Sequence, residues 1–477
     1  MQDILRERYD AIPYRHGSVP VSHPARLGAI GALHGLNVAA PDRFRVLEIG
    51  CAEGMNLLPL AERLPQSEFV GVDFSSAQIG VGEKARVAAN LGNARLICAD
   101  LREFEPEPES FDYVIAHGVY SWVGDEVKDR ALAICSRALR SNGLAYMSYN
   151  TLPGWSLLAG LRKVLLTQME SENESEAKLQ KGLAVIRALN ESLAGQPGPY
   201  AELVRHAFSE MLAKPSGLLF HDELAEINDP CTFTDFTRHA KAHGLQYLAE
   251  AHYAAMAFDS MPESMRKPLE QFGTDFEQRQ QFLDVVFQRW LRDSILCRAD
   301  APIRRDANSD VIRECALSLR VYTTESRVNL APEVPMRLMG ENDQVVEFSQ
   351  SWEKAILTVL SQATPARIPF VNVIDAASRL LAQVNLPTID DPAPACAFLF
   401  RLFSLGALDL VLAGSGEWLR TSGSPAPGAL MKYQARNDLP VINRWHEPVT
   451  VIGEGKSWLA GDEAQPNEGA FRAGLLV

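Results

Sequence analysis

Between residues 44 and 149 short apolar runs alternate with amphipathic stretches, and this alternation restricts the fold more than any other feature of the chain. The spacing predicts strands over Phe44–Ile49, Phe69–Asp73, Ala94–Cys98, Phe111–Ala116 and Leu144–Tyr149. It predicts helices over Met55–Leu64, Ala77–Leu91 and Glu126–Leu139, with another over Ser22–His34 ahead of the first strand. Strands this short and continuously apolar must be covered on both faces, which right-handed βαβ crossovers achieve by laying helices on each side. The expected architecture is therefore α/β, a Rossmann-like, doubly wound and mostly parallel sheet. Ligands of such sheets sit beyond the carboxyl ends of the strands, where the winding reverses.

Beyond this core the pattern turns mostly helical. Trp155 to about Leu212 reads as a helical extension interrupted by the polar run Ser171–Glu176. Residues 215–300 are mixed and mostly helical, with one candidate strand at Gly244–Leu248. Helices are predicted over Trp352–Leu360, Val371–Leu381 and Ala395–Leu405, followed by a strand over Leu408–Ala413. Helices ahead of a short hairpin suit a winged-helix-like module. A chain of 477 residues exceeds what one core supports. The expected division is a core with its helical extension over 1–212, a mostly helical middle domain over 213–340 and a winged-helix-like C-terminal domain over 341–477.

A net charge of −14 argues against general nucleic-acid binding, which needs clustered Lys and Arg, while leaving room for a basic substrate. No apolar run approaches a membrane span, and MQDILRERYD lacks the apolar stretch of a signal peptide, so a cytoplasmic location is expected. The seven cysteines are scattered without a CxxC pair and suit small buried positions better than disulfides or zinc.

The chemistry lies at the predicted strand ends. Glu48-Ile49-Gly50-Cys51-Ala52-Glu53-Gly54-Met55-Asn56 closes the first strand on an acid, passes through a glycine-spaced turn and opens a helix. Its spacing departs from the G-x-G-x-x-G that cradles a pyrophosphate, which disfavours a nicotinamide enzyme. Adenosylmethionine has no phosphate but carries an amino acid and a sulfonium cation, so an acid at Glu48 suits it. The second strand ends at Asp73, with Phe74 following, where a carboxylate can accept from both ribose hydroxyls. The third ends near Asp100 and Leu101, suited to an adenine amino group and ring, and the fourth near His117. Each acid alone also fits a plain capping role; the ordered set points to a bound nucleoside.

These segments resemble class I methyltransferases, and more narrowly the bacterial protein-lysine methyltransferase family that carries a methyltransferase regulatory domain. The resemblance rests on Tyr9-Asp10-x-x-Pro13-Tyr14, Ser22-His23-Pro24, the Glu48–Asn56 turn, Ala116–Val123 and Ser148–Trp155. In the second half Phe233–Phe236 and His243–Ala251 are similar to the regulatory segment. The family implies S-adenosylmethionine as cofactor, S-adenosylhomocysteine as product and lysine side chains of a protein as acceptors. It also implies that Tyr14 and His23 cover the cofactor as a lid; exposed loop residues are the plainer reading.

The expected cofactor site thus comprises Tyr14, His23, Glu48, Gly50, Cys51, Gly54, Asn56, Asp73, Phe74, Asp100, Leu101 and His117. On the acceptor side Tyr120, Trp122 and Tyr149, with Trp155, would line an aromatic channel and Asn150 would orient an amine; ordinary packing is the competing account. His117 lines the channel or acts as a base. A small-molecule acceptor, or binding of the cofactor without turnover, remains the alternative. His239 and His243 stand at i, i+4, yet no HExxH or cysteine cluster accompanies them, and no metal is expected.

Overall fold

The computed structural model describes residues 11–12, 17–258, 261–273, 275–321, 328–339, 345–414, 428–443 and 446–449. The predicted alternation is realised as α1 (Pro24–Leu33), β1 (Arg45–Ile49), α2 (Leu58–Arg63), β2 (Glu68–Asp73), α3 (Ser76–Ala88), β3 (Ala94–Cys98), β4 (Phe111–Ala116), α4 (Asp125–Ala138) and β5 (Leu139–Asn150). These five strands pair in parallel in the order β3-β2-β1-β4-β5. Winding runs outward from β1 to β3, then returns to β4 on the other side, so the switch point lies between β1 and β4. One face packs Val46, Tyr113, Leu144 and Tyr146 with α1 residues such as Leu27 and Ile30, in a core that continues into the C-terminal module. The other packs Leu47, Ile49, Val114 and Met147 with α4 and, further along the chain, with Phe236.

The sheet does not end at β5. After α5 (Ser156–Met169), α6 (Ser175–Ser192), α7 (Pro199–Ala213), α8 (Ser216–His221) and α9 (Phe233–Ala242), the chain returns as β6 (Leu245–Glu250). Two more helices, α10 (Glu263–Glu270) and α11 (Phe276–Val286), lead into β7 (Leu291–Arg298), which inserts antiparallel between β5 and β6. The seven-stranded order is β3-β2-β1-β4-β5-β7-β6. The segment expected as a middle domain over 213–340 therefore supplies two strands of the core sheet. Sequence reading missed β7 because Arg292 and Asp293 look like surface residues. Arg292 is instead fully buried, bonded to Glu250 and Asp284 (Nε–Oδ1 3.0 Å) with its guanidinium 4.1 Å from the Phe233 ring centre.

The C-terminal part carries the three predicted helices as α12 (Ser351–Ala363), α13 (Phe370–Gln383) and α14 (Ala393–Ser404), with β12 (Leu408–Leu412) after them. Any hairpin partner that follows β12 in the chain falls on residues 415–427, outside the described residues. Among the described residues β12 pairs not with a following strand but with β8 (Cys315–Leu319), whose other edge takes the short β11 (Ile368–Pro369). The module is tied to the core through buried Asp409, which meets Arg26 of α1 and Arg367 (3.0 Å).

Candidate active site

A cavity of about 420 Å³ opens over the switch point. Its floor follows directly from the turn after β1. Gly50 and Gly54 both take φ +71, the left-handed region that glycine enters without strain. A Cβ on Gly50 would stand 2.6 Å from Val119 Cγ2, so the turn packs only as glycine. Between them Ala52 also lies at φ 48 and is held there by its N–H donating to Asp73 Oδ2 at 2.9 Å. Asp73 Oδ1 accepts from Ser75 N–H at 2.9 Å. Asp73 thus both fixes the turn and lines the cavity.

Glu48 is a strongly perturbed acid on the floor. Burial drives its carboxyl up to about 8, with the charge of Asp73 adding to the rise and a hydrogen bond from Asn56 Nδ2 (2.8 Å to Oε1) opposing it. Its other oxygen, Oε2, is buried with no hydrogen-bond partner among the described residues. A buried, half-satisfied carboxylate on a cavity wall is complementary to a cationic ligand group. Asn56 is anchored from elsewhere, its Oδ1 accepting from Val19 N–H (2.9 Å) and lying 2.7 Å from His446 Nε2 of the C-terminal segment.

Of the expected cofactor residues, Glu48, Gly50, Cys51, Asn56, Asp73, Phe74, Asp100, Leu101 and His117 all line this one cavity. Asp100 does so at the rim with its carboxylate bridged to Arg102 (2.8 Å). Gly54 shapes the turn without lining the cavity. His23 does not line the cavity: its Nδ1 accepts from Ala25 N–H (3.1 Å) as the N-cap of α1, and its ring packs edge-on to His446. Tyr14 lies outside the described residues.

The aromatic channel is largely corrected. Only Trp122 reaches the cavity. Tyr149 is buried in the core, stacked on Phe236 at 3.9 Å with its hydroxyl 3.2 Å from Ser294 Oγ, because its position on β5 faces α9. Tyr120 turns away toward His239 Nδ1 (2.7 Å). Trp155 packs against Trp122 from behind (6.0 Å). Asn150 braces the wall rather than an amine, donating from Nδ2 to Asn228 Oδ1 at 3.1 Å beside the lining residue Ile227.

Two features escaped the sequence. One is a hydrogen-bond chain from the cavity to the surface. His117 Nδ1 lies 2.9 Å from Tyr146 Oη, Tyr146 donates to Asp293 Oδ1, and Asp293 Oδ2 meets the exposed His252 Nδ1 at 2.9 Å. With the tyrosine hydrogen on Asp293, His117 must carry its hydrogen on Nδ1, which makes Nε2 the acceptor nitrogen. Burial alone would raise Asp293, but its bond to His252 and the nearby histidines outweigh this and hold it below the usual carboxylate range. The other is the acidic lining: Glu48, Glu53 and Asp73 on the floor, Asp100 at the rim, and Asp125, Glu126, Asp222 and Glu226 toward the mouth, against one guanidinium, that of Arg102, among the described residues.

Comparison with known proteins gives the family and its cofactor. Residues 46–143 match the family described as methyltransferase domain, and residues 215–298 match the predicted methyltransferase regulatory domain. The uncharacterized protein RP789 of Rickettsia prowazekii is 31% identical across 93% of this chain and 81% of its own length. The chain belongs to the class I adenosylmethionine-dependent methyltransferases that carry a regulatory domain. Among solved structures, PKMT2 from Rickettsia typhi in complex with AdoHcy superimposes with a TM-score of 0.79 and 27% identity, covering 92% of this chain and 86% of that one. RP028 of Rickettsia prowazekii is 36% identical over half of this chain and 96% of its own. The cofactor of this methyltransferase is S-adenosylmethionine. The floor fits it: a buried acid with an unsatisfied oxygen for a cation, a β2-terminal carboxylate for ribose hydroxyls, and no phosphate cradle. Among the described residues no helix is long and apolar enough to cross a membrane.

Proposed function

We propose that this methyltransferase transfers methyl groups to lysine side chains of a protein. The observation that carries the reading is the acidic mouth. The side chains of Asp125 and Glu126 are 93% and 76% exposed, and Asp222 and Glu226 continue the ring inward. A cationic lysine is drawn to such a rim and an anionic small acceptor is repelled. The name PKMT2 supports the same acceptor.

In this reading Asp73 and Phe74 hold the nucleoside, Leu101 and Asp100 flank its base, and Glu48 balances the cationic end. When bound, adenosylmethionine supplies an electrophilic methyl group for in-line displacement. The chain's own residues supply position and take up the proton. A lysine ammonium costs about 4–5 kcal/mol to deprotonate at pH 7. His117 Nε2 accepts that proton, and the Tyr146–Asp293–His252 chain stabilises the resulting imidazolium and opens a way to solvent. Trp122 offers the acceptor an apolar wall that excludes water.

The test is incubation of the protein with methyl-labelled adenosylmethionine and lysate, followed by mapping of the label. Label on lysine Nζ of proteins is expected; label confined to small molecules refutes the lysine reading while leaving the cofactor assignment intact.

A further inference from the structure

The geometry points to a binding site for a divalent first-row transition cation formed by Asp129, His239 and His243, clipping the methyltransferase domain to the regulatory domain. Asp129 lies on α4, within the methyltransferase-domain match; His239 lies on α9 and His243 caps its C-terminal end, both within the regulatory-domain match. Four residues apart on one helix, the two imidazoles share a face and converge on the same oxygen. His239 Nε2 is 2.6 Å and His243 Nε2 is 3.2 Å from Asp129 Oδ1, and the three ligand atoms lie within 4.8 Å of one another.

Two ligands on one tetrahedral zinc ion stand about 3.4 Å apart, given metal–ligand bonds of ~2.1 Å. The observed triangle needs only small side-chain rotations to reach that spacing. Solvent access is present, the side chains being 60% (Asp129), 26% (His239) and 22% (His243) exposed. Two imidazoles and one carboxylate suit Zn²⁺, Co²⁺ or Ni²⁺ rather than Ca²⁺ or Mg²⁺.

The other ring nitrogen of His239 is also held in place. Histidine ligands are commonly fixed by a hydrogen bond at the other ring nitrogen. His239 Nδ1 lies 2.7 Å from the hydroxyl of buried Tyr120. With Nε2 on the ion, Nδ1 carries the hydrogen and donates it to Tyr120. That tyrosine begins the single turn Tyr120–Trp122, whose Trp122 lines the active-site cavity. Neighbouring cations are engaged elsewhere: Lys128 with Asp125 and Asp229, Arg238 with Asp235, Lys241 with Glu277. The site thus joins the two domains on the outside and the cavity wall on the inside.

The experiment uses the full chain, freed of any affinity tag and stripped with chelator. Zn²⁺ is titrated calorimetrically, and Co²⁺ by its visible absorption. One ion per chain is expected, with a d–d spectrum of nitrogen and oxygen ligands and no thiolate charge-transfer band. His243→Asn and Asp129→Asn, checked for folding by circular dichroism, are each expected to weaken binding about 10- to 100-fold. No saturable binding by the unaltered chain, a thiolate band, or full affinity in both folded variants overturns the site. The wild-type titration and spectrum decide the matter even if a variant fails to fold.

Discussion

The affinity for adenosylmethionine should rise steeply between pH 6 and pH 8, because Glu48 must ionise to receive a cation. Burial places its folded carboxyl at about 8. At pH 6 about one site in a hundred is then ionised, and at pH 8 about half, a ratio of about 50 or ~2.3 kcal/mol in binding free energy. The bound cofactor's positive charge pulls the carboxyl back down, so binding releases close to one proton at pH 6, falling to about half a proton at pH 8. Calorimetry in two buffers of different ionisation heat reads that proton directly. Glu48→Gln is expected to flatten the profile, and S-adenosylhomocysteine, lacking the sulfonium charge, to show a shallower one. Asp222, which burial lifts to about 6 at the cavity mouth, titrates nearby, so Asp222→Asn serves as the control and should keep the slope. A flat profile in the unaltered chain, or an equal slope in Glu48→Gln, refutes the argument. The same shift has a stability consequence without cofactor. Since the folded value exceeds the unfolded value of 4.5, the contribution of Glu48 is full below pH 4.5 and is lost as pH rises toward 8. Glu48→Gln should therefore raise the melting temperature at pH 8 and leave it unchanged at pH 4.5.

Asp73→Ala removes the proposed ribose acceptor. With hydrogen bonds to a charged group worth roughly 1.5–3 kcal/mol each, calorimetric affinity for adenosylmethionine should fall at least about 100-fold, with the circular dichroism spectrum retained. Tyr146→Phe cuts the chain behind His117. Turnover should fall and its pH profile shift, while KM for the acceptor and affinity for S-adenosylhomocysteine hold, a split that mere loosening of the core would not produce. Arg292→Met strands Glu250 without its buried counter-ion and leaves Asp284 with Arg289 alone, and chemical denaturation should show a loss of about 3–5 kcal/mol.

The floor of the site was legible because it is built from consecutive residues. Strand, acid, glycine turn and helix follow one another between Val46 and Leu58, and Asp73 and Asp100 sit at the ends of neighbouring strands for the same local reason. The acceptor wall was not. Tyr120, Tyr149 and Trp155 sit beside the right strand ends, but which face each ring takes depends on what packs there. α9 and β7 arrive from about a hundred residues away to claim Tyr149 and Tyr120.

Local order thus determined the parallel core, its switch point and the cofactor's bed, since apolar periodicity and turn chemistry act over a few residues. Tertiary structure alone decided the rest. Arg292 and Asp293 read as solvent-facing charges until distant partners bury them within a strand, and β12 takes its neighbour from upstream. His117 becomes the start of a proton path only when Tyr146, Asp293 and His252 align behind it. His239 and His243 gain a third ligand only when α4 presents Asp129. Long-range burial sets the partners of a charge or a ring, and no window along the chain contains that information.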